Sequence, residues 1–401
     1  MPGIRTEVRA TSDLDPFTPE VLADPFAVHR TLRDLGPVVW LRKYGVYALA
    51  RHAEVYAALH DPASFSSATG VGLMDLRSGE AWRPPSLLIE ADPPDHTRAR
   101  RVVTSVLTPR VVARLADAFR DRAAEIVDSV VERGDVDAVA ELAEAFPLSV
   151  FTDAVGMDPD MSLDERRKLL LYGRMVNNSF GPRNQVYEDA LRAADGVAEW
   201  VMEQCQPEAF RPDSIGARIH EGAAASGYSV PEAALVMRSL LSAGVETTVN
   251  AIANALLAFA LNPAAWQSLR DTGGARRGFE EVLRFDSPVQ VFFRTAVHDI
   301  EIGGDRIPAD ARVMLLLGSA NRDPRVWDAP DRFDIHRAPT GHVGFGSGIH
   351  ACVGQMLARL EGDLLLSELA ARVATLEVTA APERLLNNTL RGLEKLPLRL
   401  R

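Results

Sequence analysis

Residues 345–354 read FGSGIHACVG, the most informative ten residues of the chain. Gly346, Gly348 and Gly354 frame Cys352 immediately before a long amphipathic segment. Glycine at this density permits a tight loop that brings backbone N–H groups towards the Cys352 sulfur, where hydrogen bonds hold a thiolate and tune its donor strength. A thiolate on a rigid loop suits an axial metal ligand. Taken alone, the string reads more readily as a structural free cysteine on a glycine-rich loop.

Helical spacing of apolar residues continues from that loop through 354–375. Upstream, the same spacing recurs at 109–133, 163–178, 185–204 and 231–261, after a first helix at 25–35. Strand signals are sparse. VVWLRKYGVYALAR, residues 38–51, reads as a hairpin around Lys-Tyr-Gly, and short strands are expected at 290–295, 300–307, 312–316 and near the C-terminus. The expectation is a mainly α fold flanked by a small sheet. Residues 63–94 lack periodicity and carry Gly70, Gly72, Gly79 and four prolines, a loop long enough to be functional. No repeat, low-complexity linker or charge block marks a boundary, so residues 1–401 are read as one domain.

The 401 residues are 47% hydrophobic and 25% charged, which excludes disordered and fibrous classes. A net charge of −11 argues against a nucleic-acid partner. Two cysteines, Cys205 and Cys352, are too few for a disulfide scaffold and suit a reducing cytosol. The N-terminal residues lack a signal-peptide core, and Arg238, Ser239, Glu246, Asn250 and Asn254 interrupt the most apolar stretch below the ~18 uncharged residues of a membrane span. A cytoplasmic protein without a membrane partner is expected.

Three further segments carry chemistry. In EEVLRF, Glu281 and Arg284 stand three apart and share a helical face, a spacing common in solvated surface pairs. In the middle of the long apolar helix, Ala243-Gly244-Val245-Glu246-Thr247-Thr248 sets a glycine and a threonine pair where helix propensity disfavours them; a threonine hydroxyl bonding back to the carbonyl four residues earlier would bend the helix. In ADPPDHTRARR, His96 and Arg100 lie four apart at a helix start, two cationic-type groups that attract an anion.

Together these strings resemble the cytochrome P450 superfamily, matched in the haem loop at Phe345, Gly346, Gly348, His350, Cys352 and Gly354. The resemblance implies a helical bundle around haem b with small peripheral sheets, and Cys352 as axial iron ligand. It implies that His96, Arg100, Arg294 and His350 hold haem propionates, with Phe345 and Gly354 shaping the loop. Glu246 and Thr247 become the acid and alcohol of a proton-delivery pair, and Glu281 with Arg284 a buried pair joined by Arg332. Cysteine ligation favours O–O cleavage over oxygen carriage, so the implied activity is a monooxygenase drawing NAD(P)H electrons through a [2Fe–2S] ferredoxin and its reductase. Arg98, Arg100, Arg101, Arg110 and Arg114 form a basic cluster suited to an acidic ferredoxin. Members of this type are usually monomers.

A narrower resemblance lies in WRPPS, MRSLLSAGVETT, SPVQVFFRT and NNTLRGLE, which are similar to bacterial enzymes oxidising para-substituted benzoic acids, notably 4-methoxybenzoate. It implies that Arg83 and Ser86, assisted by Arg238 and Ser239, capture the carboxylate, although Arg83 could instead answer Glu80 or a propionate. Ser239, Ala243 and Thr247 share one helical face, along which the para group would point to iron. Val289, Phe292, Phe180 and Leu390 would form apolar walls. Two residues depart from the pattern: Asn177 replaces an expected aromatic wall, which would admit larger or more polar rings, and Glu246 stands where aspartate is frequent. A hydroxylase of larger metabolites and a non-catalytic haem sensor are the alternatives. Cys205, in no motif, reads as a structural thiol.

Overall fold

The structure is a computed structural model and describes residues 8–79 and 82–401. Its framework is helical. Pro109–Arg133 starts at the Thr108 cap and ends at Gly134, whose φ of 77° favours glycine. This helix packs along Gln355–Arg372, the helix that follows the Cys352 loop. Leu163–Asn178 begins with a capping box between Ser162 and Glu165.

The apolar segment expected as one helix at 231–261 is two, Val230–Ala243 and Glu246–Leu261. Gly244 sits at the break. A Cβ there would lie 2.3 Å from the Phe151 ring, so only glycine allows the close approach. The mid-helix Gly-Thr signal thus marks the break. The 185–204 segment likewise divides, into Gln185–Ala193 and Val197–Gln204, around Gly196 at φ 70°. An 18-residue window of Val230–Leu261 is apolar enough for a membrane span, but 83% of it is buried inside the protein.

The main sheet has six strands, in the order Ala10–Ser12, Val39–Leu41, Val46–Leu49, Arg312–Leu316, Val291–Ala296 and Phe65–Ser66. The expected hairpin at 38–51 supplies the second and third, and the 300–307 segment folds back as Ile300–Ile302 with Asp305–Ile307. Phe65–Ser66 emerges from the long loop and pairs with Thr295 and Ala296, while Phe293 N donates to Val71 O at 2.8 Å. These bonds bring the loop against the strand that carries Phe292 and Arg294. Cys205 is buried among apolar side chains, its thiol pushed up to about 12 by desolvation, as a structural thiol would be.

Candidate active site

A cavity opens between the Cys352 loop, the broken helix, the strand 291–296 and the long loop. On its floor, Cys352 N donates to Phe345 O at 2.8 Å, closing the loop, and the Gly354 N–H reaches the sulfur. Gly348 has φ 66°, and a Cβ there would meet Leu59 O at 2.1 Å. Burial raises the Cys352 thiol, while Gly354, Arg100 and Arg359 oppose that rise.

Behind the floor, Glu281 and Arg284 are both fully buried and form a bidentate pair with two contacts of 2.8 Å. The third arginine is Arg337, not Arg332. Arg337 Nε lies 3.3 Å from Glu281 Oε1, whereas the Arg332 side chain is exposed and pairs with Asp334 at 2.9 Å. Only the Arg332 carbonyl joins the group, accepting from Arg284 Nη2 at 3.4 Å. A turn from Ala329 carries the 332 side chain outwards and returns the chain so that 337 faces Glu281.

The expected propionate-binding residues converge. The His96 and His350 rings meet tilted at 59° with centroids 4.4 Å apart; both His96 ring nitrogens and His350 Nε2 are buried without a hydrogen-bond partner among the described residues. Burial, then neighbouring arginines, lowers both imidazoles, so they are neutral near pH 7. Arg294 is buried, donates from Nη1 to Phe293 O at 2.8 Å, and has no carboxylate paired with it among the described residues. Its guanidinium is pushed down to about 10, chiefly by desolvation. Arg100 is also unpaired there and is lowered by burial. Buried donors without acceptors cost free energy unless a ligand supplies the acceptors. A flat apolar macrocycle bearing carboxylates fits both these donors and the thiolate floor.

Above the floor, Thr247 Oγ1 donates to Ala243 O at 2.9 Å, the bond back that the sequence suggests. Ser239, Ala243 and Thr247 all line the cavity, as their spacing requires. Glu246 does not. Its carboxyl turns away, is 2% exposed, and accepts from Asn177 Nδ2 at 3.0 Å. Desolvation lifts it to about 8; Arg174, at 3.8 Å, and the Asn177 bond pull the other way. Arg174 in turn lies 3.2 Å from the half-exposed Glu394. Asn177 also donates to Gly173 O at 2.9 Å, so its amide supports the acid as well as lining the cavity. Its place in the lining keeps a polar side chain at the roof, with Nδ2 engaged by Gly173 and Glu246.

The distal end departs furthest from expectation. Arg83 does not present a free clamp: it forms a bidentate pair with Glu90 at 2.8 and 3.1 Å, and Glu90 also accepts from Ser86 N at 2.7 Å. Glu80 lies outside the described residues. Ser86 Oγ and Ser239 Oγ share a 2.8 Å hydrogen bond. Arg238 is 2% exposed; Nη2 donates to Pro84 O at 2.8 Å, and Nη1 is buried with no partner. Among the described residues Arg83 Nε and Arg238 Nη1 are both buried without a partner, and of the two cations Arg238 is the one with no carboxylate paired to it. Phe180, Phe292 and Val289 line the cavity, Phe180 and Phe292 with rings 6.0 Å apart. Leu390 does not line it; it is buried behind, bridged through its backbone to Val289. Sequence reasoning missed Arg337, Glu90 and Arg174, and also Glu361, a buried carboxyl lining the cavity without a partner and raised well above its ordinary value by burial. Its one signal is an acidic residue within an apolar helix face.

A cysteine on a glycine-rich loop beneath two arginines without a carboxylate partner among the described residues and two neutral histidines defines a haem-thiolate protein. A family model for cytochrome P450 matches residues 276–382. The chain is 49% identical over 389 residues to cytochrome P450 CYP199A2 of Rhodopseudomonas palustris, covering 96% of this chain and 93% of that one. Its structure is similar to that of CYP109Q5 from Chondromyces apiculatus, with TM-score 0.82 and 31% identity over 98% of each chain. Cytochrome P450 CREJ, solved with (4-ethylphenyl) dihydrogen phosphate, matches with TM-score 0.85 and 25% identity over 96% of this chain and 99% of that one. The chain belongs to the cytochrome P450 family and is a monooxygenase that uses haem b, dioxygen and NAD(P)H electrons delivered by redox partners.

Proposed function

We propose that this enzyme O-demethylates or hydroxylates a para-substituted benzoic acid such as 4-methoxybenzoate. The observation that carries the reading is Arg238, a buried guanidinium with Nη1 unpartnered, beside the Ser86 and Ser239 hydroxyls on the cavity wall. Such a group is favourable only when an anion completes it. Ser239 and Thr247 stand on either side of the break at Gly244, both facing the cavity, which leaves the length of wall between them for one aromatic ring between head group and reaction centre. Phe180, Phe292 and Val289 bury the ring.

In this reading Cys352 would ligate the haem iron, His96, Arg100, Arg294 and His350 would hold the propionates, and Phe345 and Gly354 would shape the loop around the sulfur. The bound haem supplies dioxygen activation. Around it the chain orients substrate, excludes water with its aromatic walls and conducts protons. Glu246, mostly protonated at neutral pH, is the acid of that path, with Arg174 and Glu394 leading to solvent and Thr247 presenting a hydroxyl to the cavity. Hydroxylation of a methoxy carbon yields a hemiacetal that collapses to phenol and formaldehyde. Electrons would come from a [2Fe–2S] ferredoxin docking on the cluster containing the exposed Arg101, Arg110 and Arg114. A single-domain, cytoplasmic monomer completes the proposal.

The test is titration of the haem-loaded ferric enzyme with 4-methoxybenzoate, 4-methoxybenzyl alcohol and 4-methoxybenzamide. A low-to-high-spin change with the acid alone supports the reading. No response to the acid overturns it.

A further inference from the structure

Two cations line the distal end of the cavity, Arg83 and Arg238, and among the described residues the carboxylate of Glu90, buried behind Arg83, cancels only one of them. Arg83 and Glu90 are joined at 2.8 and 3.1 Å with side chains 10% and 2% exposed, a pair of zero net charge. Arg238 has no carboxylate within ion-pair distance among the described residues and keeps one buried N–H unpartnered. Tyr172, beside them, has its phenol raised by burial and stays neutral. Counted over the described residues, the recess therefore holds one uncompensated positive charge. An outer recess shares Arg83 and Arg238 and adds the exposed acids Glu199 and Glu203, which oppose any excess negative charge.

We propose that Glu90 is the residue that sets the head-group specificity of this site: by neutralising Arg83 it limits the recess to a single monoanion and turns away dianionic aryl phosphates. The inference rests on the aryl-acid reading above. A carboxylate matches the lone charge on Arg238. An aryl phosphate, whose second ionisation lies near pH 6, is mainly dianionic above neutrality, and its second charge would meet only an Arg83 already cancelled by Glu90, whose carboxylate repels it through a dry wall that screens weakly. The structurally similar CREJ was solved with a ligand of that class, so the same fold admits such head groups where the local charge permits.

The ligands for the test share a para group: 4-ethylbenzoate and 4-ethylphenyl phosphate, titrated at pH 7.5 into the haem-loaded ferric enzyme, with dissociation constants read from the spin-state change. The native enzyme is expected to prefer the benzoate by about tenfold or more, equivalent to ~1.4 kcal/mol. Glu90→Gln keeps an oxygen to accept from Ser86 N–H but frees the Arg83 charge, and should bring the two constants to within about twofold. Arg83→Gln/Glu90→Gln returns the net charge to one and should restore the preference. Arg83→Gln alone leaves no net charge and should weaken both ligands, the phosphate more. Haem content and unfolding midpoint accompany each variant.

Equal changes for both ligands in Glu90→Gln, or no return of the preference in the double variant, overturn the role of Glu90 while leaving the aryl-acid site standing. Should the native enzyme respond to neither ligand, the aryl-acid reading falls and takes this inference with it.

Discussion

Arg284 and Arg238 are both buried within the fold, yet their surroundings differ completely. Arg284 is enclosed by Glu281 and by the carbonyls of Asn321 and Pro330, at 2.9 and 3.0 Å. Arg238 has two proline carbonyls for Nη2 and nothing for Nη1. A buried cation matched from within its own chain braces the structure. One left unmatched implies a ligand, because desolvation without a partner would otherwise be selected against as a bare cost. The same contrast separates Glu281, paired on both oxygens, from Glu246, whose Oε1 lacks a hydrogen bond.

Breaking the matched side should have the largest effect. Glu281→Ala strands Arg284 in the core and is expected to cost about 3–5 kcal/mol, read from urea unfolding together with loss of haem retention. On the unmatched side, Glu246→Gln removes an acid without changing shape; product formation by the haem-loaded enzyme should fall roughly a hundredfold while the substrate-induced spin change persists. Arg238→Met should weaken 4-methoxybenzoate binding by about ten- to a hundredfold, with the unfolding midpoint unchanged or higher. That combination is the signature of a cation kept for a ligand.

The correction at the third arginine sharpens the matched side further. Arg337→Ala should destabilise by about 1–3 kcal/mol, whereas Arg332→Ala, on an exposed side chain, should stay within about 0.5 kcal/mol; parallel denaturation curves decide between them. The smallest effect concerns Asn177. Glu246 bears its proton below about pH 8, so turnover that needs this acid holds below that value and falls above it. The Asn177 bond favours the ionised form. Asn177→Leu should therefore raise the pH of the fall by roughly half a unit, measured from kcat against pH with the spin-state affinity as control.

Much of this was written locally. The Cys352 loop was legible because positive φ at Gly346 and Gly348 and the approach to Leu59 demand glycine at fixed offsets. A bend was legible from Gly244 and the Thr247 hydroxyl, whose partner is four residues away, although the division into two helices was not. What spacing could not reveal was the identity of partners. Arg332 and Arg337 both follow Glu281, and only the path of the turn selects the second. Arg83 and Glu90 lie seven apart in a segment without periodicity, where no rule of helix or strand geometry predicts a pair. Asn177 and Glu246 are 69 residues apart and meet because two helices pack.

By itself, then, the amino-acid sequence determined the helical framework, the thiolate loop and the position of the acid–alcohol pair, because each depends on backbone preferences and contacts within a few residues. The tertiary structure alone decided which charges are cancelled and which remain. Burial and ion pairing arise only when distant segments close around one another.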